Sequence, residues 1–270
     1  LTERTPLRVV TEGILTRQLV ADPSLDGTAV VVLDEFHERS LDADLSLAML
    51  REAKLALRDD LRIVVMSATL DAAAVATYLG EASEVETLEV PGRLFPVDVE
   101  YAGTLAPPMH PHVTNAIRRE LDQAGGDILV FLPGAGEIER VMRDVGSSAH
   151  RAGFDVLPLH GGLSRDEQDA AVREGNRPRV ICATNIAETS LTLHGVRVVI
   201  DSGQVRQAGY DAARGVATLS TRRISKASAE QRAGRAGRVA DGRCVRLWSK
   251  VQHAALDDFD TPEVKRVELS

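Results

Sequence analysis

The chain has 270 residues, of which 44% are hydrophobic and 27% charged, and its formal net charge is −8. This composition is typical of a globular protein with room for one or two hydrophobic cores. The acidic excess excludes a histone-like polycation but not a local basic groove, and no apolar run reaches the ~18 residues of a membrane span.

Short β-branched runs alternate along the chain with stretches of helical periodicity. The runs predict strands at 7–10, 29–33, 61–66, 85–90, 97–101, 127–132, 154–159, 178–183, 196–201 and 243–248. The periodic stretches predict helices at 13–21, 41–58, 71–79, 112–124, 135–149, 164–174 and 226–236. Continuous apolar strands separated by helices are typical of parallel sheets covered on both faces, so we predict a doubly wound α/β fold.

A proline and a glycine at 91–92 interrupt this alternation and predict a domain boundary. The first predicted strand begins almost at the start of the chain, so we expect a first α/β lobe that is incomplete at its N-terminus. A complete second lobe follows, and a Thr-Pro-Glu helix-start signal predicts the beginning of another domain. The predicted parts are 1–92 for the first lobe, 93–250 for the second lobe, and 251–270 for a linker and the start of the further domain.

An acidic pair, Asp34-Glu35, directly follows the predicted strand 29–33. Carboxylates at a strand end fit a magnesium–nucleotide site, in which one holds the ion through water and its neighbour orients or deprotonates an attacking water. The alternative is a helix N-terminus at which acidic residues interact with the helix dipole. The adjoining residues 36–39, Phe-His-Glu-Arg, favour the functional interpretation.

Small polar residues also follow three other predicted strands. Because the carboxyl ends of parallel strands lie at one edge of a sheet, this repeated placement indicates a functional edge. Ser67 and Thr69 lie about 30 residues beyond the acidic pair and are candidates to sense its state, although hydroxyls at strand ends are more often caps. The run 184–190 offers hydroxyls and an amide to phosphate oxygens, and its alternative role is a turn. The segments are Thr11–Gly13 after 7–10, Ser67–Thr69 after 61–66 and Thr184–Ser190 after 178–183.

Two further features belong to the second lobe. Residues 204–220 break the alternation with β-prone runs around glycines, which predicts a protruding β-hairpin. Cys182 and Cys244 stand in predicted strands, which favours buried free thiols in a reducing cytoplasm.

Three arginines at three-residue spacing stand in the run 231–238, separated by Ala and Gly. Adjacent cations repel one another, so the cluster favours a polyanion as partner, and glycines let one approach closely. Arg235 and Arg238 are candidate arginine fingers because a guanidinium fork matches phosphate oxygens, and such a finger is worth about 10³–10⁵ in rate. Gln231 is a candidate to position the attacking water. The alternative is a solvated helix face, which the two glycines disfavour.

Aromatic residues make up only 3% of the chain. A stacking platform for bases is therefore not expected. Any nucleic acid is expected to be held mainly by its backbone, which conveys little sequence specificity.

Taken in chain order, these segments resemble the motifs of the DEAH/RHA branch of superfamily 2 helicases, and the resemblance covers essentially the whole chain. Its most specific part combines 185–190 with 226–238. Phe36 stands where the DEAH box has Ala and, with the residues around it and with 11–15, makes the chain most similar to the bacterial HrpB group of that family.

The resemblance implies two RecA-like lobes with ATP between them, the second being a helicase C-terminal domain, and a winged-helix-like domain beginning after it. Asp34 and Glu35 would bind Mg²⁺ and ATP, Glu35 would activate water, and His37 would link the nucleotide state to the second lobe. Gln231, Arg235 and Arg238 would act at the γ-phosphate. The remaining implied roles are coupling of hydrolysis to strand movement for Ser67 and Thr69, contact with the nucleic-acid backbone for Thr11, Gly13 and Thr184, nucleotide sensing for Ser190, and strand separation for the hairpin.

One part of the family pattern is missing. Members carry a phosphate-binding loop, Gly-x-x-x-x-Gly-Lys-Ser/Thr, before these motifs, whereas this sequence contains no Gly-Lys dipeptide and the glycines at 134 and 136 have no following lysine. We therefore expect a fragment of an ATP-dependent helicase whose isolated activity is poor, with RNA as the expected partner and no membrane association. The alternatives are a non-catalytic nucleic-acid-binding module and a translocase on the same fold that moves DNA or protein.

Overall fold

The computed structural model describes residues 6–68, 72–80, 85–90, 92, 95–104, 106–189, 191–211 and 214–267. The chain divides into two compact units, Leu1–Val90 with Thr261–Ser270, and Pro91–Asp260. Across the described residues, no helix is both long and apolar enough to cross a membrane.

In its described residues, the first unit contains a pair of parallel strands and three helices. Strand β1 (Val30–Leu33) pairs with β2 (Arg62–Val65) from Val30 opposite Arg62 to Leu33 opposite Val65. The helices are α1 (Glu12–Ala21), α2 (Leu41–Ala56) and α3 (Ala72–Leu79), and a short 3-10 turn covers Phe36–Glu38. Apolar residues of α1, α2 and both strands form one buried cluster, which fixes the carboxyl end of β1 where the acidic pair lies.

Two predicted strands in the first unit are wrong. Residues 7–10 and 85–90 form no strand, and Val9 and Val90 are 89% and 85% exposed. An apolar β-branched run becomes a strand only where a neighbouring strand accepts its hydrogen bonds, and in the described part of the unit only β1 and β2 form a ladder.

The second unit is built on a six-stranded parallel sheet. Its strands are β3 (Val97–Tyr101), β4 (Asp127–Phe131), β5 (Asp155–Leu159), β6 (Arg179–Ala183), β7 (Val196–Asp201) and β10 (Gly242–Arg246), in the order β3-β10-β7-β4-β6-β5. Its helices are α4 (His110–Glu120), α5 (Ala135–Arg151), α6 (Arg165–Val172), α7 (Lys226–Gly234) and α8 (Lys250–Ala254).

Both faces of this sheet are covered, which confirms the predicted doubly wound α/β class. Ile128 and Val130 of β4 pack in one core with residues of α4 and α5. Their neighbours Leu129 and Phe131 point to the opposite face and pack in a second core with residues of α6 and α7. Alternation of apolar side chains between two cores explains why β4 reads as a continuous apolar run.

A buried ion pair fastens the amino ends of β4 and β6. The Arg179 side chain is 3% exposed, and its Nε donates to Asp127 Oδ2 at 2.9 Å. The Arg179 backbone amide donates to Asp127 Oδ1 at 2.8 Å. This pair lies at the edge of the sheet opposite to the predicted functional residues.

The predicted hairpin is confirmed and is slightly longer than expected. Strands β8 (Gln204–Asp211) and β9 (Val216–Arg223) pair antiparallel from Gln204 opposite Arg223 to Asp211 opposite Val216. Both strands lie outside the six-stranded sheet, and most of β9 is exposed.

Residues beyond the second lobe contact the first unit. Glu263 begins a 3-10 turn, donates its backbone amide to the Arg39 carbonyl at 3.0 Å, and accepts from the Leu41 amide at 2.8 Å through Oε2. The carboxylate therefore caps the N-terminus of α2. The predicted start of a further domain after 251 stays a prediction.

The two cysteines are buried free thiols, as predicted. Burial raises the pKa of the Cys182 thiol to about 12. Burial also raises the pKa of Cys244, with a further contribution from the negative charge of Asp201.

Candidate functional site

The acidic pair lies in a strained turn at the carboxyl end of β1. Glu35 has φ +51°, the left-handed region that residues other than glycine seldom occupy. Its backbone amide donates to Asp34 Oδ1 at 2.8 Å, and the next amide, of Phe36, donates to the Met66 carbonyl at 3.0 Å. Phe36 is buried while Asp34 is exposed. The buried ring and the bond to the end of β2 hold the turn, and the carboxylates remain accessible.

His37 joins the acidic pair to the segment that follows β2. Its side chain is only 5% exposed, and its Nε2 lies 3.4 Å from Glu35 Oε2. On the other side of the ring, Nδ1 accepts from the Ala68 amide at 3.4 Å. If Nδ1 accepts, the proton of a neutral ring is on Nε2 and faces Glu35. The imidazole thus connects Glu35 with residues 67–68 inside the first unit.

Of the two candidates for coupling hydrolysis to strand movement, Ser67 and Thr69, the structure describes the first. Ser67 is exposed beside Ala68, at the end of the His37 bridge. Thr69 lies outside the described residues.

Thr11 and Gly13 lie at the start of α1. Thr11 is exposed, and its carbonyl accepts from the amides of Ile14 and Leu15, at 3.0 and 3.2 Å. A Cβ on Gly13 would lie 3.1 Å from Asp42 Oδ2. Close packing of α1 against α2 is therefore a structural reason for the glycine, in addition to the predicted contact with a nucleic-acid backbone.

Thr184 follows β6 and opens the loop that contains the second group of hydroxyl residues. Its amide donates to the Leu159 carbonyl at 3.0 Å, and its side chain is half-buried. A 3-10 turn covers Asn185–Ala187. Ser190, the predicted nucleotide sensor, lies outside the described residues.

Arg235 and Arg238, the two candidate fingers, have different environments. Helix α7 ends at Gly234 and a 3-10 turn follows, so the run 231–238 is not one regular helix. Arg238 is exposed. Arg235 is 3% exposed, and its guanidinium donates to the carbonyls of Glu188, Leu191 and Thr189 at 2.8, 2.6 and 2.7 Å. In this structure Arg235 holds the 188–191 loop.

One glycine of the arginine run, Gly237, also has a packing role. A Cβ on Gly237 would collide with the carbonyl oxygen of Phe95 and with the side chain of Val97. Close packing is therefore a structural reason for this glycine, and the expectation that the glycines admit an anion stays a prediction. Gln231 is half-buried in the last turn of α7, one residue short of the arginine that the helix buries.

Sequence reasoning missed Arg232, the most buried arginine of the run. It is 1% exposed, its Nε donates to Glu188 Oε2 at 2.8 Å, and its Nη1 donates to Asp201 Oδ1 at 3.0 Å. Its guanidinium also lies 4.7 Å from the centre of the Phe131 ring. Burial alone would lower the pKa of Arg232, but the charges of Asp201 and Glu188 raise it above its ordinary value. A carboxylate at the end of a buried strand, Asp201, was the available signal for such a partner.

Known proteins are similar to this chain in both sequence and fold. Residues 112–240 match the family model described as the helicase conserved C-terminal domain. The ATP-dependent RNA helicase HrpB of Escherichia coli K12 is 46% identical over 98% of this chain and 33% of its own length. A probable human ATP-dependent RNA helicase, DHX34, is 38% identical over 98% of this chain and 24% of its length.

The solved structures give the same result. A crystal structure of the E. coli DExH-box NTPase HrpB superposes with a TM-score of 0.88 at 42% identity, over 100% of this chain and 33% of that chain. A second one, of the E. coli DEAH/RHA helicase HrpB, gives 0.87 at 40% identity, over 100% of this chain and 34% of that chain. The predicted resemblance to DEAH/RHA helicases is confirmed, and the chain spans about a third of the length of the E. coli protein.

Proposed function

Because this chain is similar to DEAH/RHA helicases over almost its whole length, we propose that it is part of an ATP-dependent RNA helicase of the HrpB type. The observation that carries the proposal is the acidic pair at the end of β1, with Glu35 held in a left-handed turn and bridged by His37 to residue 68. Strained residues of this kind cluster at active sites. For the whole protein we propose ATP hydrolysis, RNA unwinding and a cytoplasmic location.

The first unit supplies the carboxylates for hydrolysis. Among the described residues, no group of three or more His, Cys, Asp or Glu side chains could hold a metal ion. This fits Mg²⁺, which is usually bound by one or two carboxylates, waters and the phosphates of the substrate. Asp34, exposed at the strand end, would hold the ion through water, and the ion would neutralise charge on the phosphate oxygens. Glu35 would orient the attacking water and accept its proton.

The second unit supplies the cations. Arg238 is exposed and therefore available as an arginine finger, with Gln231 positioning the water at the γ-phosphate. For Arg235 to act as the second finger, its guanidinium must exchange the carbonyls of the 188–191 loop for phosphate oxygens. Ser190 in that loop would sense the nucleotide.

Coupling and nucleic-acid contact complete the proposal. Ser67, beside the Ala68 amide that bonds His37, and Thr69 would transmit the state of the nucleotide. Thr11, Gly13 and Thr184 would contact the RNA backbone, and the hairpin would separate strands. Recognition through phosphates accords with the low aromatic content of the chain.

A single substitution in the full-length protein tests the hydrolytic role. Glu35→Gln keeps the size of the side chain but removes the proton acceptor, so RNA-stimulated ATP turnover is expected to fall about 10²–10⁴-fold. The matched control is Glu52→Gln on α2, whose side chain is 74% exposed and lies 3.5 Å from the adjacent Arg51, and its turnover is expected to be unchanged.

Near-normal turnover of Glu35→Gln would remove Glu35 from the mechanism. Absence of ATP hydrolysis in the unmodified full-length protein would support the non-catalytic module instead. Stimulation by DNA but not by RNA would support a DNA translocase. We also expect the chain alone, without a phosphate-binding loop, to hydrolyse ATP poorly.

A further inference from the structure

Arg232 connects three segments that are distant in sequence. From α7 its guanidinium reaches Glu188 in the loop after β6, Asp201 at the end of β7, and the carbonyl of Gln204, the first residue of the hairpin, at 3.3 Å.

The foot of the hairpin depends on the same carboxylate. Asp201 Oδ1 accepts from the Gly203 amide at 2.8 Å as well as from Arg232. The Gly203 carbonyl in turn accepts from the Ile224 amide at 3.2 Å, just beyond the second hairpin strand. Both ends of the hairpin are thus fastened to Asp201, and Asp201 is fastened to α7.

The segment one turn after Arg232 holds the 188–191 loop. Arg235, three residues after Arg232, donates to the carbonyls of Glu188, Thr189 and Leu191. Residues three apart lie on the same side of a helical segment. One short piece of chain therefore holds the 188–191 loop through both arginines and the hairpin through Arg232.

We propose that Arg232 is a positioning residue that makes the 188–191 loop, α7 and the hairpin move as one body. This rests on the proposed function, in which the loop and the fingers respond to nucleotide and the hairpin acts on RNA. An arginine is required because its planar fork bonds both carboxylates at once, whereas lysine presents a point charge. Asp201 is fully buried and Glu188 nearly so, so the link cannot be broken without leaving a buried carboxylate unpaired.

Hydrogen exchange in the full-length protein tests the link without relying on activity. In Arg232→Lys, amides of 204–223 are expected to exchange at least about tenfold faster, because charged hydrogen bonds at the hairpin foot are lost. The matched control is Arg179→Lys, an equally buried arginine paired with Asp127 at the opposite edge of the sheet. It is expected to leave hairpin exchange unchanged. Equal hairpin exchange in the two variants would overturn the proposal.

Activity supplies the second readout. The RNA unwound per ATP hydrolysed is expected to fall about tenfold in Arg232→Lys and to stay constant in Arg179→Lys, and an unchanged ratio in Arg232→Lys would also overturn the proposal. If Arg232→Lys does not fold, Asp201→Asn replaces it, since it keeps the shape of the side chain and removes its charge. If the unmodified protein neither hydrolyses ATP nor unwinds RNA, the proposed function fails while the exchange experiment still decides whether Arg232 positions the hairpin.

Discussion

At the scale of single residues, backbone strain is concentrated beside the acidic pair. Leu25, Glu35 and Arg39 are the residues other than glycine that have positive φ in the described part of the chain, and two of them bracket the Phe36–Glu38 turn. Each such conformation costs on the order of 1–2 kcal/mol. The surrounding contacts, including the burial of Phe36 and the Glu263 bond to the Arg39 carbonyl, maintain it.

The buried thiols give a pH dependence at the same scale. The pKa of Cys182 is raised to about 12 in the folded protein, from an ordinary value of 9.0. Its contribution to stability is complete below pH 9 and is lost as pH rises towards 12, because only the unfolded chain can then ionise the thiol. Within this window we expect the free energy of unfolding of the second unit to fall by about 1.4 kcal/mol per pH unit for this group.

Urea unfolding at several alkaline pH values measures this pH dependence. Comparison of Cys182→Ala with the unmodified chain isolates the contribution of the Cys182 thiol. The variant is expected to lose stability less steeply above pH 9. The same slope for both proteins would show that Cys182 does not titrate on unfolding.

At the scale of secondary-structure elements, the hairpin joins the second unit through a glycine that contacts the tryptophan. Gly203 has φ +69°, and a Cβ there would lie 2.8 Å from the ring of Trp248. The Trp248 ring also packs edge-on against Tyr101, with centroids 6.5 Å apart. The aromatic cluster therefore contacts the backbone at the foot of the hairpin directly.

Gly203→Ala is expected to destabilise the second unit by more than about 1 kcal/mol, since alanine is strained at positive φ and has no room beside the ring. Because Trp248 is the only tryptophan of the chain, its fluorescence emission should shift as well. Gly215→Ala in the hairpin turn is the control. It also has φ +66°, but among the described residues a Cβ there would approach the Tyr210 hydroxyl alone, so it shares the strain and should not change the emission. A shift of equal size in both variants would contradict a direct contact.

The elements of the second unit could be predicted from sequence, and the failures have physical causes. Strands such as β4 and β6 are buried on both faces, so their sequence carries a strong, continuous apolar signal. The runs 7–10 and 85–90 carry a similar signal but lack a partner strand in the described residues. Hydrogen-bond partners more than forty residues away, such as Glu188 for both Arg232 and Arg235, leave no local pattern, so a buried arginine and an exposed finger look alike in sequence.

At the scale of the whole molecule, an acidic chain is proposed to bind a polyanion. The net charge of −8 requires that the basic residues be grouped, because binding depends on local charge. The hairpin is one such group, with Arg206, Arg222 and Arg223 on its strands.

The salt dependence of RNA binding by the full-length protein tests whether these grouped basic residues contact phosphates. The logarithm of the association constant is expected to fall linearly with the logarithm of salt concentration, by about 0.7 for each phosphate neutralised on a single strand. Arg222→Gln on the exposed face of the hairpin should therefore reduce the slope by about 0.7. Arg173→Gln, an exposed residue just after α6, should leave it unchanged. An association constant that does not change with salt concentration would exclude recognition through phosphates.

The strand order of the second unit has a consequence for its biosynthesis. Edge strand β3 pairs with β10, and Tyr101 faces Arg246 across 145 residues of chain. At a ribosomal rate of ~5–20 residues per second, β3 emerges roughly 7–30 seconds before its partner exists. During that interval β4, β5 and β6 can already assemble, because they follow one another in sequence and are adjacent in the sheet. The N-terminal strand of the sheet is then the last to be incorporated, and its exposed edge is a surface that a chaperone would have to protect.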